Sequence, residues 1–429
     1  MIRKMAALAA VLLALTACGS GAEAPKSGEA RVLKLWHYEG ADSAMGKAWA
    51  EAIKKFEAAH PGVRVEFEAK GFEQIQKTAS MVLNSDEAPD LMEYNKGNAT
   101  AGLLSKQGLI ADLSAEVTKR GWDKLLPGGL ATTAKYDDRG VMGSGKWYGL
   151  PNYGEFVMVY YNKDLFKKHK VEVPTTFEEF TAALDTFVKA GVTPIASAGA
   201  EYPAQQIVYQ LALSKVQRPW VDAYQIYNGK VDFHGPEFTY GTRTFADWVS
   251  KGYLDKKSSG LKAEDMGVAF MKGEFPVMIS GSWWYGRVVE EATSFEWGHF
   301  LFPGTTMAPG SSGNLWVVPE KSENKDLAYD FIDLTMTKDI QNLLGNSGGV
   351  PVAADPAAIT DAKSKELIET FNKLTAQDGL AFYPDWPAPG YYDVLVAGTQ
   401  NLINGSKTPD QVLDEIAKPY EDNLADLGN

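Results

Sequence analysis

Rings and carboxylates gather in a few short stretches of this chain. Trp36, His37, Tyr38 and Glu39 follow an alternating apolar run, so three ring systems and a carboxylate share one loop. Glu93, Tyr94 and Asn95 follow another, and offer a ring and an amide. Trp283 and Trp284 adjoin in a Gly/Ser loop; neighbours on a strand point to opposite faces, so at least one is expected to leave the core. Tyr383, Asp385 and Trp386 lie in FYPDWPAPGYY, a proline-stiffened loop that can present a stacking wall. Glu73 and Asn314 add a carboxylate and an amide, and Trp220 is a weaker ring candidate. Flat rings cover patches of C–H, while carboxylates and amides take hydroxyls. A carbohydrate offers both surfaces, and a buried unpaired polar group costs about 1–3 kcal/mol, which makes the match selective. Plainer readings stand beside these: Trp36 in the core, Tyr94 in loop packing, Glu73 as a helix-terminus carboxylate, the proline loop as a surface lid.

Two carboxylates over a sugar also describe a glycosidase, and no separation is fixed by the sequence. Other chemistries lack their parts. Gly140 to Lys146 mimics a phosphate loop, but Trp147 replaces the required Ser or Thr and a strand, not a helix, follows. Gly-x-Ser-x-Gly is absent. The five histidines, at 37, 60, 169, 234 and 299, show no metal-ligand spacing. No catalytic residue, metal or cofactor is therefore expected.

Cys18 is the only cysteine. Arg3 and Lys4 precede the apolar run Ala6 to Leu15, too short to span a bilayer, and Leu15-Thr16-Ala17-Cys18 places small residues before the thiol. Residues 1–17 read as a signal peptide. Residues 18–30 read as the anchor position and a small, polar tether. An exported chain without a second cysteine has no disulfide and depends on its packed core. Roughly 410 residues then remain, enough for two or three domains. Net charge is -13, or about -15 without the signal's two cations. No basic stripe tracks phosphates, so no nucleic-acid partner is expected.

These groups need elements to hold them. Leu33 and Leu35 alternate with Lys34 and Trp36 as a strand; Asp42 and Ser43 can cap a helix reaching Ala59, ended by His60-Pro61-Gly62; Val63, Val65 and Phe67 make a second strand. That strand–helix–strand unit predicts a parallel sheet. Helices are expected over 72–84, 98–109, 176–189 and 326–336. Strands are expected over 91–94, 147–150, 156–161, 276–280 and 315–318. No linker divides the chain, which points to interleaved domains.

Five stretches in order carry a resemblance: AWAEAIKKFEAAHPGVRVEF, APDLMEYNKGN, WYGLPNYGEFVMVYYNKDLFKKHKVEVPTTFEEF, AFMKGEFPVMISGSWWYG and AYDFIDLTMTKDIQNLL. Together they resemble the extracellular solute-binding proteins of bacterial ABC sugar importers, the group related to maltodextrin-binding protein, over essentially the whole mature chain. The Leu15–Cys18 run likewise resembles the lipobox of bacterial lipoproteins, in which Cys18 would be lipidated. The resemblance implies an α/β fold of two lobes with a hinge: 31–153 plus 308–350 as lobe one, 154–307 plus 351–429 as lobe two, with a return crossing near Pro303-Gly304. Tyr153 and Glu155 then flank the hinge and face the cleft. It also implies a monomer held outside the cell membrane by Cys18, which captures a neutral di- or oligosaccharide and delivers it to ABC permease subunits without covalent chemistry. A secreted glycan-active hydrolase, and a same-fold receptor for a polyol or other non-sugar solute, stay open as alternatives.

Overall fold

The computed structural model describes residues 30–126 and 128–428. Cys18, the signal segment and the tether up to residue 29 lie outside the described residues. Strand β1 (Arg31–His37) buries Leu33 and Leu35 on one face by simple alternation. The helix Ala44–Ala59 starts where the Ser43 hydroxyl accepts from the Gly46 N–H at 2.9 Å, and it buries Trp49, Ala52 and Phe56 along one stripe. β2 (Val63–Ala69) and β3 (Leu91–Tyr94) both run parallel to β1, as a crossover helix requires. A small hairpin, β4 (Lys135–Tyr136) with β5 (Lys146–Trp147), precedes β6 (Leu150–Pro151). The expected single strand over 147–150 is thus two pieces in different sheets.

The second group begins with β7 (Glu155–Asn162), the longest strand, and adds β8 (Ile195–Ala196), β9 (Val277–Gly281), β10 (Trp297–Phe300) and β11 (Gly310–Ser311). β12 (Leu315–Val317) returns to the first group. Two five-membered sets result: β2-β1-β3-β12-β6 in one lobe, and β10-β7-β9-β8 with β11 on β7 in the other. Both are mixed, since β12 lies antiparallel to β3 and to β6 and β7 antiparallel to β9 and β10. Trp49, Trp316 and Phe331 pack edge to face in the first core. Phe156 and Phe371 pack in the second.

The chain passes between the two sheets at neighbouring points. Residues 152–154 lead from β6 into β7, 312–314 lead from β11 back to β12, and the Gly154 N–H donates to the Val350 carbonyl at 2.7 Å. The return lies further along than Pro303-Gly304; a Cβ on Gly304 would meet Phe177, on the β7 side of the molecule. The expected helix over 98–109 is a π turn, Asn98–Gly102, followed by a short helix, Leu103–Lys106. Trp220 sits inside the helix Arg218–Ile226, where Pro219 occupies a first-turn position.

Candidate functional site

A cavity of about 440 Å3 opens between the lobes, within the size range of ligand sites. Its wall is assembled from residues just past strand ends. Tyr38 and Glu39 follow β1, Asn95 and Lys96 follow β3, Tyr153 and Glu155 flank the start of β7, and Trp283 and Trp284 follow β9. Glu73, Asn314, Tyr383, Asp385 and Trp386 complete the group of expected residues that the structure brings together. Trp36, His37 and Tyr94 do not join them. They still belong to their strands, so the pleat fixes their direction: Trp36 lies under the Lys70 ammonium at 3.9 Å, His37 stacks on Phe67 at 4.1 Å, and Tyr94 is buried at the end of β3. Burial lowers the His37 imidazole to about 4, so it is neutral near pH 7.

The ring wall comes mainly from the β7 lobe. Ser282–Trp284 form a short 3-10 turn, which carries both indoles inward instead of splitting them across a strand. Both indole N–H groups donate to the Tyr202 hydroxyl, at 3.1 and 3.3 Å. Trp283 lies 6.2 Å from Tyr383, which lies 5.2 Å from Trp386. Close packing behind the wall demands glycine: a Cβ on Gly267 would stand 2.3 Å from the Trp284 ring.

The floor is polar. Lys96, almost fully buried, donates to Glu155 and, at 3.0 Å, to Asn314 Oδ1. The Asn314 amide donates to the Tyr153 hydroxyl at 2.6 Å, and that hydroxyl reaches Glu39 and Glu155, each at 3.3 Å. Burial, reinforced by the negative charge of Glu155, pushes the Glu39 carboxyl up to about 7 against the pull of Tyr153, Lys96 and Asn314. Burial also lifts Asp385 to about 6. The Tyr38 and Tyr383 hydroxyls and Gln206 Oε1 are buried at the cavity without a hydrogen-bond partner. Such groups wait for a ligand or for water.

Lys96, Tyr202, Gln206, Arg287 and Tyr392 line the cavity without having been singled out from sequence. Lys96 had a usable signal, since it directly follows the Glu93-Tyr94-Asn95 stretch. Gln206 was missed because the helix Tyr202–Leu213 buries its glutamines along with its apolar residues, so they do not mark a solvated face. Among the described residues no group of three or more His, Cys, Asp or Glu side chains is arranged to hold a metal ion, and no helix is long and apolar enough to cross a membrane.

Comparison with known proteins gives this geometry relatives. The pattern of the bacterial extracellular solute-binding proteins matches residues 40–342. A probable sugar-binding periplasmic protein of Brucella suis biovar 1 is 26% identical over 350 residues, 74% of this chain and 75% of its own length. The diacetylchitobiose binding protein DasA of Streptomyces coelicolor is 26% identical over 436 residues, 97% of each chain. Among solved structures, a chitin oligosaccharide binding protein superposes with a TM-score of 0.80 over 93% of this chain and 100% of its own, at 22% identity, a likeness of fold.

Proposed function

This chain belongs to the bacterial extracellular solute-binding proteins, and from that premise we propose that its interlobe cavity captures a di- or oligosaccharide for delivery to an ABC permease. One observation carries the reading: a ring wall of Trp283, Tyr383 and Trp386 faces a floor of Glu39, Glu155, Asn314 and Lys96 across a single cavity. Ring faces bury the C–H patches of a sugar, and the floor takes its hydroxyls. The relatives named for sugars support the same class. Binding is non-covalent: the two lobes close over the sugar, and the contacts made by both lobes at once favour the closed state. Cys18 is the proposed lipid attachment that keeps the protein outside the membrane, working as a monomer.

A thermal-shift panel of mono- to tetrasaccharides identifies the ligand, since a molecule that binds only the folded form raises the melting temperature. With that sugar, calorimetry on Trp283→Ala is expected to show at least tenfold weaker binding, about 1.4 kcal/mol. No melting shift with any saccharide, or unchanged affinity in Trp283→Ala and in the Trp283→Ala/Trp386→Ala pair, refutes the reading.

A further inference from the structure

Carboxylates outnumber cations seven to two along the cavity wall. The two cations are already engaged. Arg287 bridges Asp42 and Glu264, each at 2.8 Å, and Lys96 holds Glu155. Glu201 accepts from the Ala263 N–H at 2.8 Å, and its ion-pair partner is the exposed Lys262, at 3.4 Å. Glu39, Glu73 and Asp385 have no ion-pair partner among the described residues. These carboxylates are half-buried, and a half-buried carboxylate without a counter-charge favours a proton or a cation beside it.

Two of these groups meet across the cleft. Glu73 stands in the first turn of the helix Phe72–Val82 in the β1 lobe, and Glu201 occupies the position just before the helix Tyr202–Leu213 in the β7 lobe. Both line the cavity, and burial followed by the Glu201 charge raises the Glu73 carboxyl above its ordinary range. The Tyr392 hydroxyl donates to Glu73 at 3.2 Å, and the Asp385 and Glu201 charges both act on Tyr392, so all three carboxylates stand around one end of the cavity. About one turn beyond Tyr202, Gln206 is 6% exposed and its Oε1 has no partner.

Gln206 Oε1 and the carboxylates beside it only accept, so the unmet demand at this end is for donors. A sugar hydroxyl brings one donor with two acceptor lone pairs, whereas an ammonium brings three donors, a positive charge and no acceptor. We propose that the Glu73–Glu201 end of the cavity is a subsite for a protonated amine carried by the saccharide, so that the preferred ligand is an amino sugar or a glycan bearing one. This rests on the saccharide reading above and narrows it.

The test uses calorimetry on the full chain at pH 7, with matched sugars that differ only in a hydroxyl, an acetamido group or a free amine: cellobiose, N,N′-diacetylchitobiose and chitobiose, and the same comparison, with amines at C2 and C6, for any saccharide found by thermal shift. At least one free-amine member is expected to bind tenfold or more tightly than its hydroxyl counterpart. That preference is expected to fall to within about twofold in Glu73→Gln and in Glu201→Gln. A hydroxyl or acetamido sugar that binds as well as every amine counterpart overturns the subsite while leaving saccharide capture intact. An amine preference that survives both substitutions overturns its placement. No binding by any sugar removes the saccharide reading and the subsite together.

Discussion

Glu39 shows how one side chain couples the site to the stability of the whole chain. Its carboxyl is raised to about 7 from an unfolded value near 4.5, first by burial and then by the Glu155 charge. The folded state therefore binds the proton more tightly than the unfolded state between those values. Stability then falls as pH rises through that window, because the native state holds more protons. A shift of this size corresponds to at most about 3 kcal/mol. Replacing Glu39 with Gln removes the titration and keeps the shape. Urea unfolding is expected to show wild type losing stability relative to Glu39→Gln from pH 4.5 to pH 7, with no further divergence well above 7. Parallel pH profiles for the two proteins would mean that the carboxyl is solvated in the cleft and not desolvated by it.

At the scale of elements, the lobes touch where backbone freedom permits. Gly97 adopts φ +103, and a Cβ there would lie 2.6 Å from Trp386, whose carbonyl accepts from the Ala99 N–H at 2.9 Å. Gly97→Ala adds about 1–3 kcal/mol of backbone strain and displaces the ring. It is expected to weaken sugar binding at least tenfold and to lower the melting temperature, with far-ultraviolet circular dichroism unchanged; wild-type affinity in this variant would remove Trp386 from the site. Much of this scaffold was legible beforehand. The helix up to Lys189, the Ser43 cap and the parallel start to the first sheet were all expected; the capping box of Thr176 and Glu179 is the structure's addition. Residues beyond a strand end could be told from those inside it only once the end was known, which is why Tyr38 and Glu39 reach the cavity while Trp36 and His37 do not. The helix Tyr202–Leu213 escaped notice because it is apolar or buried on all sides, and it took Tyr202 and Gln206 with it. Lys96 escaped although it directly follows the Glu93-Tyr94-Asn95 stretch, because only the fold brings Glu155 and Asn314 around its ammonium.

For the whole molecule, affinity depends on what holds the lobes together as well as on what touches the ligand. At the cavity rim Asp42, in the β1 lobe, pairs with Arg287, in the β7 lobe, at 2.8 Å, and Lys47 pairs with Glu290 nearby. Deeper in, Asn98 donates to the Gln225 carbonyl at 2.7 Å. Contacts of this kind exist only while the lobes are together, so they favour the closed state and slow escape of the ligand. Asp42 is about half exposed, and exposed pairs of this sort contribute about 0.2–1 kcal/mol. Asp42→Asn therefore has a bounded effect: dissociation faster by no more than about fivefold, with association nearly unchanged, as expected when a change acts after docking. Salt separates this latch from direct ligand contact. Near 1 M salt the Debye length shrinks to about 3 Å, so wild type and Asp42→Asn are expected to converge there, whereas loss of a buried hydrogen bond to the sugar would persist. Stopped-flow tryptophan fluorescence at low and high salt reads both rates. A change confined to association, or a difference that survives 1 M salt, would place Asp42 against the ligand and not at the closing edge of the lobes.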